Sequence, residues 1–576
     1  MRREMSVAGI IFACMNLVAI RSISQIPSRY DVVIDEIMGD PLPVVGLPNS
    51  EFIELKNISA NAFDLLHWKI TDGSTTATIA VNYQLKPDSF VIICPSSAAS
   101  AFSAIGTTIG VSNFPSINND RELITLLSPE GNVIHAVEYS IHWFNNAVKS
   151  DGGWTLEMID THNPCAGAMN WKASADPRGG TPGMKNSVDG INVDQQPPVL
   201  LRCFVIDSLT IVAVFDEPVD SSSSVIPSHY QITDMPIGIQ TIVPVPPTFN
   251  QVKFKLGKPL LRGRIYKLEV SGVTDCSGNT INTFNNAAFG IPSEADTMDL
   301  VINEILFNPK SDGVDFVELY NRSNKVVDAS RIFIANRTSV GTISSVRKMS
   351  DLPFLIFPGD YPTLSEDAVR LQQQYFIKKP DWLFEIANFP SYPDNEGTVV
   401  LLNAVGKIVD EFHYDEQMHF PLINNKEGVS LERIDPAGAT NSKENWTSAA
   451  ASVGYATPTQ QNSQVMLNAS GNAIITVDPP VFSPDNDGYH DICFIYYNMN
   501  QPNEVANITI FDVNGRYVRR LYNNTTLSQS GHLVWDGLGD KQQPLPAGIY
   551  IISTELFNLQ GKTRKYKNTV VLAKKF

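Results

Sequence analysis

Short runs in which apolar and polar residues alternate recur along the whole chain and predict β-strands. Glu51–Leu55 reads E-F-I-E-L, and Leu209–Phe215 and Ile508–Asp512 are further apolar-rich runs of strand length. Side chains alternate across a strand with a period of two, and Glu51–Leu55 has this pattern. Helical periodicity is scarce, and Glu366–Tyr375 is a short helical candidate. The pattern therefore predicts an all-β chain.

The sequence repeats itself at long range. The block Val33–Ile37 returns as Val301–Ile305, and Glu51–Leu55 returns as Asp315–Leu319. Further matches keep the same order: Leu126-Leu127 with Leu401-Leu402, Trp154-Thr155-Leu156-Glu157 with Val429-Ser430-Leu431-Glu432, Asn170-Trp171 with Asn445-Trp446, and Thr181-Pro182 with Thr457-Pro458. Two copies this far apart indicate duplicated domains rather than a solenoid of short period.

These repeated motifs resemble those of a known family. The order I-x-E-I, E-F-I-E-L-x-N, a strand with Trp68, L-E-x-I-D and N-W resembles the lamin tail domain, whose bacterial form occurs in exported multidomain proteins. The resemblance covers residues 31–187 and 299–463, and it implies an immunoglobulin-like β-sandwich with no active site of its own. The second copy has Ile332 in place of Trp68 and an insertion near residues 340–390. Any ligand surface is therefore expected to differ between the copies.

The remaining segments resemble two other β modules. Residues 196–295 contain F-x-E-P-V at Phe215–Val219, which resembles a bacterial Ig-like module of the spacer type. Residues 470–576 open with F-S-P-x-x-D-G at Phe482–Gly488 and contain W-D-G at Trp535–Gly537. This part resembles the Ig-like domain of flagellar hook-capping proteins and the C-terminal domain of gliding-motility-associated proteins that type IX secretion exports. The resemblance implies a sorting signal that the secretion machinery reads.

Residues 1–24 have the layout of a secretory signal peptide. Two arginines precede the apolar stretch Val7–Ile20, which is shorter than the roughly 20 residues that span a bilayer. Cleavage is predicted between Ser24 and Gln25. The alternatives are a buried first element and a lipoprotein signal with a lipidated Cys14. We expect a mature chain that is not transmembrane and that is secreted or held on the outer surface of a Gram-negative bacterium.

Composition and charge narrow the class of protein. A length of 576 residues predicts roughly four domains. Hydrophobic residues make up 43% of the chain, which excludes wholesale disorder. Lys and Arg total 43 against 60 Asp and Glu, so the net charge is −17. Because this charge repels phosphate backbones, no nucleic-acid partner is expected. The predicted fold is all-β, a series of tandem Ig-like β-sandwiches.

An oxidising destination permits disulfides between the cysteines of the mature chain. Cys94 is predicted to pair with Cys165, and Cys203 with Cys276, because each pair lies within one predicted domain. Cys493 stands between Ile and Phe and is predicted to be a buried, inert thiol. The absence of C-x-x-C and Cys/His clusters from the sequence disfavours zinc.

One acidic turn is a candidate calcium site. Asp485, Asp487 and Asp491 have D-x-D-G-x-x-D spacing, and Gly488 supplies the sharp turn. Ca²⁺ takes several hard oxygen ligands around such a turn. The run lacks the distal Glu of an EF-hand loop, and the competing interpretation is a turn whose carboxylates cap its own backbone. No other cofactor is predicted.

Two further groups of polar residues are candidate sites. The repeated carboxylates are Glu36, Glu51 and Glu54 in the first copy and Glu304, Asp315 and Glu318 in the second. Such pairs serve acid–base or metal chemistry in enzymes. We favour the structural interpretation, in which they face solvent or tie down loop backbone. His413 and His419, with the acidic residues between them, are interpreted as a sandwich edge rather than a metal site.

The sequence predicts a non-catalytic, secreted or cell-surface modular protein that acts in adhesion or as a scaffold. It contains no nucleophile elbow, metalloprotease motif or phosphate-binding loop. The expected partners are the export machinery and an unidentified surface protein or glycan. One alternative is a carbohydrate-binding accessory protein, which a glycan array would identify. The other is a secreted hydrolase with an unrecognised site, which an activity screen would identify.

Overall fold

Strands dominate the fold. The computed structural model describes residues 26–233, 237–466, 474–485 and 489–574. The helices in these ranges are short: α1 (Ala99–Phe102), α2 (Ala147–Ser150) and α3 (Ala368–Gln374). The prediction of an all-β chain of tandem Ig-like sandwiches is confirmed, and α3 lies within the stretch that the periodicity marked as helical. Within the described ranges, none of the helices has the length and apolar character needed to cross a membrane.

Four successive groups of strands pack into separate sheets, which we call the first to fourth segments. The first segment contains β1 (Val32–Met38), β2 (Phe52–Asn57), β3 (Phe63–Asp64), β4 (Lys69–Thr71), β5 (Thr76–Thr78), β6 (Gln84–Leu85), β7 (Phe90–Pro95), β8 (Thr108–Val111), β9 (Arg121–Leu127), β10 (Val133–Ser140), β11 (Leu156–Met158) and β12 (Trp171–Ala173). The second contains β13 (Leu200–Asp207), β14 (Thr210–Phe215), β15 (Tyr230–Thr233), β16 (Ile239–Val245), β17 (Gln251–Leu256), β18 (Tyr266–Val270) and β19 (Asn286–Phe289).

The third segment contains β20 (Leu300–Leu306), β21 (Phe316–Asn321), β22 (Val327–Asp328), β23 (Ile332–Arg337), β24 (Ile343–Lys348), β25 (Leu355–Ile356), β26 (Thr363–Ser365), β27 (Leu383–Glu385), β28 (Glu396–Asn403), β29 (Ile408–Asp415), β30 (Leu431–Arg433) and β31 (Trp446–Ser448). The fourth contains β32 (Ile474–Asp478), β33 (Val481–Phe482), β34 (Cys493–Asn498), β35 (Val505–Asp512), β36 (Tyr517–Thr526), β37 (Ser530–Trp535), β38 (Gly548–Phe557) and β39 (Thr563–Leu572).

The first and third segments have matching sheets. The first pairs a six-stranded sheet, β12-β11-β1-β2-β7-β8, with a four-stranded sheet, β10-β9-β4-β5. The third has β31-β30-β20-β21-β26-β27 and β29-β28-β23-β24 in the corresponding places. In both, the last two strands of the larger sheet run parallel. A β-bulge interrupts the register between Ile34 and Glu36 and again between Ile302 and Glu304, so the correspondence extends to a single-residue irregularity.

Each segment has its own apolar core between its sheets. Trp68 lies in the core of the first segment, and Ile332 occupies the core of the third. The two copies therefore have different apolar side chains at the same position of the core. Trp535 is fully buried in the fourth core. The core of the second segment also includes Val326 and Leu355, which belong to the third.

A buried ion pair distinguishes the third segment from the first. In the first segment His135 Nδ1 accepts a hydrogen bond from the Ile34 amide over 2.9 Å. In the third, Asp410 Oδ2 accepts from the Ile302 amide over the same distance. The Arg433 guanidinium donates to that carboxylate oxygen at 3.1 Å and to the Ile302 carbonyl at 2.8 Å. Both ionised side chains are withdrawn from water, with exposed fractions of 0% and 3%.

The substitution Arg433→Met is expected to destabilise the third segment by about 3–5 kcal/mol, because it leaves the Asp410 carboxylate buried without its partner. Methionine is the residue at the corresponding position of the first segment, Met158. Adding Asp410→His rebuilds the first segment's pair and should recover most of the loss. Calorimetric unfolding of the full chain measures both variants. If Arg433→Met alone is as stable as the parent chain, the ion pair does not stabilise the third segment.

Candidate functional site

Three carboxylates from distant parts of the sequence meet where the first segment joins the second. They are Asp194 in the connecting stretch, Glu217 just after β14, and Asp275 in a turn that follows β18. Their ligand oxygens lie within 4.8 Å of one another. Within the ranges that the structure describes, no other three acidic, His or Cys side chains come this close.

Backbone pairing brings these carboxylates together. Val219, two residues after Glu217, forms an antiparallel bridge with Asp275. The Asn279 amide and side chain donate to the two oxygens of the Asp275 carboxylate over 2.9 and 2.8 Å. The same side chain donates to the Asp194 carbonyl at 3.2 Å. The turn that contains Asp275 and Asn279 is thus bonded both to the residues after β14 and to the connecting stretch at Asp194.

Burial and the nearby negative charges raise the pKa of Glu217 in this cluster. Burial raises the pKa of Glu217 to about 8, and the nearby carboxylates of Asp275, Asp194 and Asp216 act in the same direction. Hard oxygen ligands at this spacing are of the type that Ca²⁺ takes. A proton on Glu217 is the other way to reduce the repulsion. The arrangement can therefore hold a proton or a divalent cation.

Two open clefts give access to the cluster. Their volumes are about 240 and 390 Å³, and Asp216, Glu217 and Pro218 line both. The smaller cleft is also lined by aromatic side chains of the first segment, Tyr30, Trp143 and Trp171. A ligand that entered either cleft would contact the Glu217 side chain.

The predicted disulfide pairing is wrong. The structure joins Cys165 to Cys276, which links the first segment to the second beside the carboxylate cluster. Cys94, predicted to pair with Cys165, lies on β7 and packs in an apolar cluster; Cys203, predicted to pair with Cys276, lies on β13 in the second core. Both are buried free thiols, as is Cys493, which was predicted to be one. The pairing rule failed because the bonded cysteines lie in loops at a junction, whereas the others point into single cores.

The repeated glutamates form a buried row in each duplicated segment. Glu157, Glu36 and Glu54 are cross-strand neighbours on β11, β1 and β2. Their counterparts on β30, β20 and β21 are Glu432, Glu304 and Glu318. All six are fully buried. The expectation that these strand positions face solvent is therefore wrong, whereas the expectation that they tie down loop backbone describes them correctly.

The loop that covers each row supplies its hydrogen-bond donors. We call residues 180–188 and 456–464 the first and second closing segments. The Thr181 amide donates to Glu36 Oε1 over 2.7 Å, and the Thr457 amide donates to Glu304 Oε1 over 2.9 Å. A Cβ at Gly180 would lie 2.6 Å from Glu36 Oε1, which shows how closely the loop backbone approaches this carboxylate. The closing segments are thus bonded directly onto the carboxylates.

Two donors of each closing segment bind the first glutamate of the row. Thr181 Oγ1 and Ser187 Oγ donate to Glu157 over 2.8 and 2.7 Å. Thr457 Oγ1 and Ser463 Oγ donate to Glu432 over 2.7 and 2.8 Å. The T-P motif of the repeat was a signal for this role, since it marks the threonine that bridges two glutamates.

The remaining repeated carboxylates lie at the rim of each row. Glu51 and Asp315 are only half-buried. Burial raises the pKa of both, that of Asp315 to about 7.

The other predicted site residues do not form a common site. Asp485 is exposed and Asp491 half-buried, and Asp487 lies outside the described residues, so calcium at this turn stays a prediction. Ser24 and Gln25, the predicted cleavage site, also lie outside them. His413 is exposed beside Thr398, whereas His419 is buried against Ser448. The two histidines therefore do not share a site.

Comparisons with known proteins identify one of the segments. Residues 25–140, about a fifth of the chain, match the family model described as Lamin Tail Domain. This match supports an Ig-like lamin tail domain at the start of the described chain. No curated protein matches.

Several solved structures share local similarity with the chain. The N-terminal part of the bacterial S-layer protein SbsC is 18% identical, over 26% of this chain and 37% of its own length, with a TM-score of 0.17. A DUF4876 family protein from Bacteroides thetaiotaomicron is 15% identical over 35% and 82%, with a TM-score of 0.18. A Ca²⁺-stabilised, ice-binding adhesin of an Antarctic bacterium is 9% identical over 95% and 100%, with a TM-score of 0.12. The chain thus spans about a third of the S-layer structure, and these TM-scores do not establish a shared arrangement.

The substitution Glu217→Gln is expected to raise the melting temperature by an amount that grows from about pH 5 to about pH 8 and is constant at higher pH. A carboxyl whose pKa is raised by folding to about 8 stabilises the fold at low pH and loses that contribution as pH rises through 8. Glutamine stays neutral throughout. Scanning calorimetry in a chelator measures the difference, with the half-exposed Glu269→Gln of the same segment as the control. A difference independent of pH would contradict the assigned protonation.

Proposed function

We propose that the chain is a non-catalytic modular protein of the cell surface or extracellular space, acting in adhesion or as a scaffold. The observation that supports this function is that specific contacts fasten each segment to the next. A free linker would allow the segments to reorient, whereas fastened segments keep the loops of one at a fixed distance from the others. Such continuity suits a protein that bears load or presents a binding surface.

The first junction is covalent and polar. The Cys165–Cys276 disulfide crosses it. Ser277 Oγ donates to Asn163 Oδ1 over 3.0 Å beside that bond. Arg29 of the first segment lies 4.1 Å from the ring centroid of Phe249 in the second. A crosslink together with these contacts limits rotation at the joint.

The second and third junctions use different contacts. Val326 and Leu355 of the third segment complete the apolar core of the second. Between the third and fourth segments, the Gln529 amide donates to the Ser463 carbonyl over 2.7 Å. Gln464 accepts from the Asn503 amide at 2.9 Å through its side-chain oxygen. The second closing segment therefore also holds the fourth segment.

The finer assignments belong to the same proposal. Residues 299–463 are a second lamin tail domain, which the strand order common to both copies supports. Residues 470–576 are the sorting domain of type IX secretion, and residues 1–24 direct export. The partners are then the export machinery and a surface protein or glycan at the outer surface of a Gram-negative bacterium.

Carbohydrate binding is a second candidate function. Tyr30, Trp143 and Trp171 line a junction cleft together with Glu217. Aromatic faces stack on sugars, and carboxylates accept hydrogen bonds from hydroxyls. A glycan array probed with the full chain separates this role from a purely mechanical one.

Deletion of residues 470–576 is expected to keep the chain inside the cells that produce it, because the proposed sorting signal is lost. Protease accessibility of a tag on intact cells, combined with fractionation, measures its location in cells with and without type IX secretion. A chain that lacks residues 31–187 but keeps residues 470–576 serves as the control and should still reach the surface. Surface exposure of the chain that lacks residues 470–576 would refute the sorting role.

Replacing both bonded cysteines, Cys165→Ala with Cys276→Ala, is expected to speed proteolytic cleavage in residues 188–199 several-fold. Loss of the crosslink frees the first joint, and freed connecting backbone fits more readily into a protease. Limited proteolysis followed by mass spectrometry of the fragments measures the rate. The variant Cys493→Ala, in the fourth segment, is the control. An unchanged cleavage rate would show that the disulfide does not stiffen this joint.

A further inference from the structure

The two buried glutamate rows differ at the residue in the β-bulge. In the third segment this residue is Asn303, whose Nδ2 donates to Glu318 Oε1 over 2.9 Å and to Asn462 Oδ1 over 2.7 Å. In the first segment the bulge residue is Asp35. An ionised aspartate has no hydrogen to donate. The first segment therefore lacks the two hydrogen bonds that the asparagine makes in the third.

In the first segment the counterparts of those two acceptors, Glu54 Oε2 and Asn186 Oδ1, belong to a cluster of unpaired buried oxygens. Asp35 Oδ1, Asn186 Oδ1, Glu54 Oε2 and Glu36 Oε2 are buried and have no hydrogen-bond partner among the described residues. Asp35 is 1% exposed and Asn186 is 7% exposed. In the third segment the counterparts of Asn186 Oδ1 and Glu54 Oε2 both accept a hydrogen bond from Asn303 Nδ2. The exchange of Asn for Asp thus coincides with a cluster of unsatisfied oxygens.

Asn186 points its oxygen towards the bulge. Its Nδ2 donates to the carbonyls of Asp35 and Met158 over 3.0 and 2.9 Å. Asn462 makes the same two bonds to Asn303 and Arg433, each over 2.9 Å. In the third segment this placement directs the Oδ1 atom to the bulge side chain. In the first segment the bulge side chain is the carboxylate of Asp35, and Asn186 Oδ1 has no donor among the described residues.

Such an arrangement needs a hydrogen or a cation between the oxygens. A buried polar atom without a hydrogen bond is costly, and a buried charge more so. A metal ion needs three or more converging ligands, and the carboxylates found at that spacing in the described chain are those of the first junction, not these. A proton needs only one donor oxygen and one acceptor, and the buried Asp35 Oδ1 and Asn186 Oδ1 both lack a partner at the bulge.

We propose that Asp35 carries a proton in the folded protein and donates it to the buried oxygens, so that docking of the first closing segment depends on pH in a way that docking of the second does not. The first segment thereby contains a proton-dependent closure at the position where the third has a permanent amide.

The charges around Asp35 favour its protonated form. Burial raises its pKa to about 7, and Glu157 on β11 and Asp189 beyond the closing segment act in the same direction. Lys56 on β2 opposes them. Glu36 and Glu54 add further buried carboxyls at the same row, and burial raises the pKa of both. Acidic groups therefore face Asp35 from its own strand, both neighbouring strands and the stretch after the loop.

Opening of the closing segment exchanges this environment for water. Asn186 leaves with the segment, and the pKa of Asp35 then falls towards the usual value of about 3.9. The open form therefore releases a proton that the closed form holds. Asp35 by itself therefore favours the closed form at low pH, and its contribution falls about tenfold per pH unit from about pH 4 to about pH 7, above which it levels off.

Hydrogen exchange of the full chain followed by mass spectrometry tests this closure. Protection of residues 180–188 and 456–464 is measured between pH 5 and pH 8 and corrected for intrinsic exchange. Asp35→Asn should reduce the pH slope of protection at 180–188 by up to one tenfold step per unit below pH 7. Asn303→Asp, the matched reverse change, should add a comparable slope at 456–464.

Two results would overturn the proposal. Equal slopes at residues 180–188 in the parent chain and in Asp35→Asn would show that Asp35 does not bind the proton. Protection of that segment by millimolar Ca²⁺ at constant pH, absent in Asp35→Asn, would show that a cation occupies the site instead. Because Asp35→Asn copies a residue that the third segment already accommodates, we expect the variant to fold, and the protection of residues 456–464 in the same sample verifies this.

Discussion

A row of three buried glutamates holds each duplicated sandwich closed. Carboxylates on adjacent strands repel one another and are costly to remove from water unless donors satisfy them. The backbone amides of the sheet are committed to the strand ladder, so side chains and loop amides must supply those donors. The loop after the last strand supplies many of them, through Thr181 and Ser187 in one copy and Thr457 and Ser463 in the other. In the third segment the strand residues Asn303 and Thr363 donate to Glu318 as well. The loop that covers the glutamates therefore also supplies hydrogen-bond donors to their carboxylates.

This constraint explains why the two copies keep the same sheets although their loops differ. The strand order, the parallel edge pair and the bulge are common to both. The partners on the opposite sheet are not, because His135 in one copy becomes Asp410 with a buried Arg433 in the other. Within the core, one apolar side chain can replace another, and a charged pair can replace an uncharged one. The row is kept because each glutamate has donors at fixed places.

The junctions between segments combine three kinds of physical contact. A disulfide fastens the first joint, a shared apolar core the second, and side-chain hydrogen bonds the third. The acidic cluster of Asp194, Glu217 and Asp275 lies at the joint that is also covalently closed. Charge repulsion in that cluster and the crosslink act in opposite directions. A surface scaffold or adhesin would have a use for such joints, since they keep one module in a defined relation to the next.

Local pattern and long-range similarity determined much of this protein. The alternation in Glu51–Leu55 identified strand β2, the 366–375 periodicity identified α3, and the repeated blocks identified two copies of one topology. These features depend on residues that are neighbours in the chain or on motifs that recur in order. The tertiary structure alone decided that Glu36 and Glu54 are buried, because the residues that cover them lie more than 100 positions away. It likewise decided that Cys165 bonds to Cys276, because a bond across a junction depends on how two separately folded cores meet.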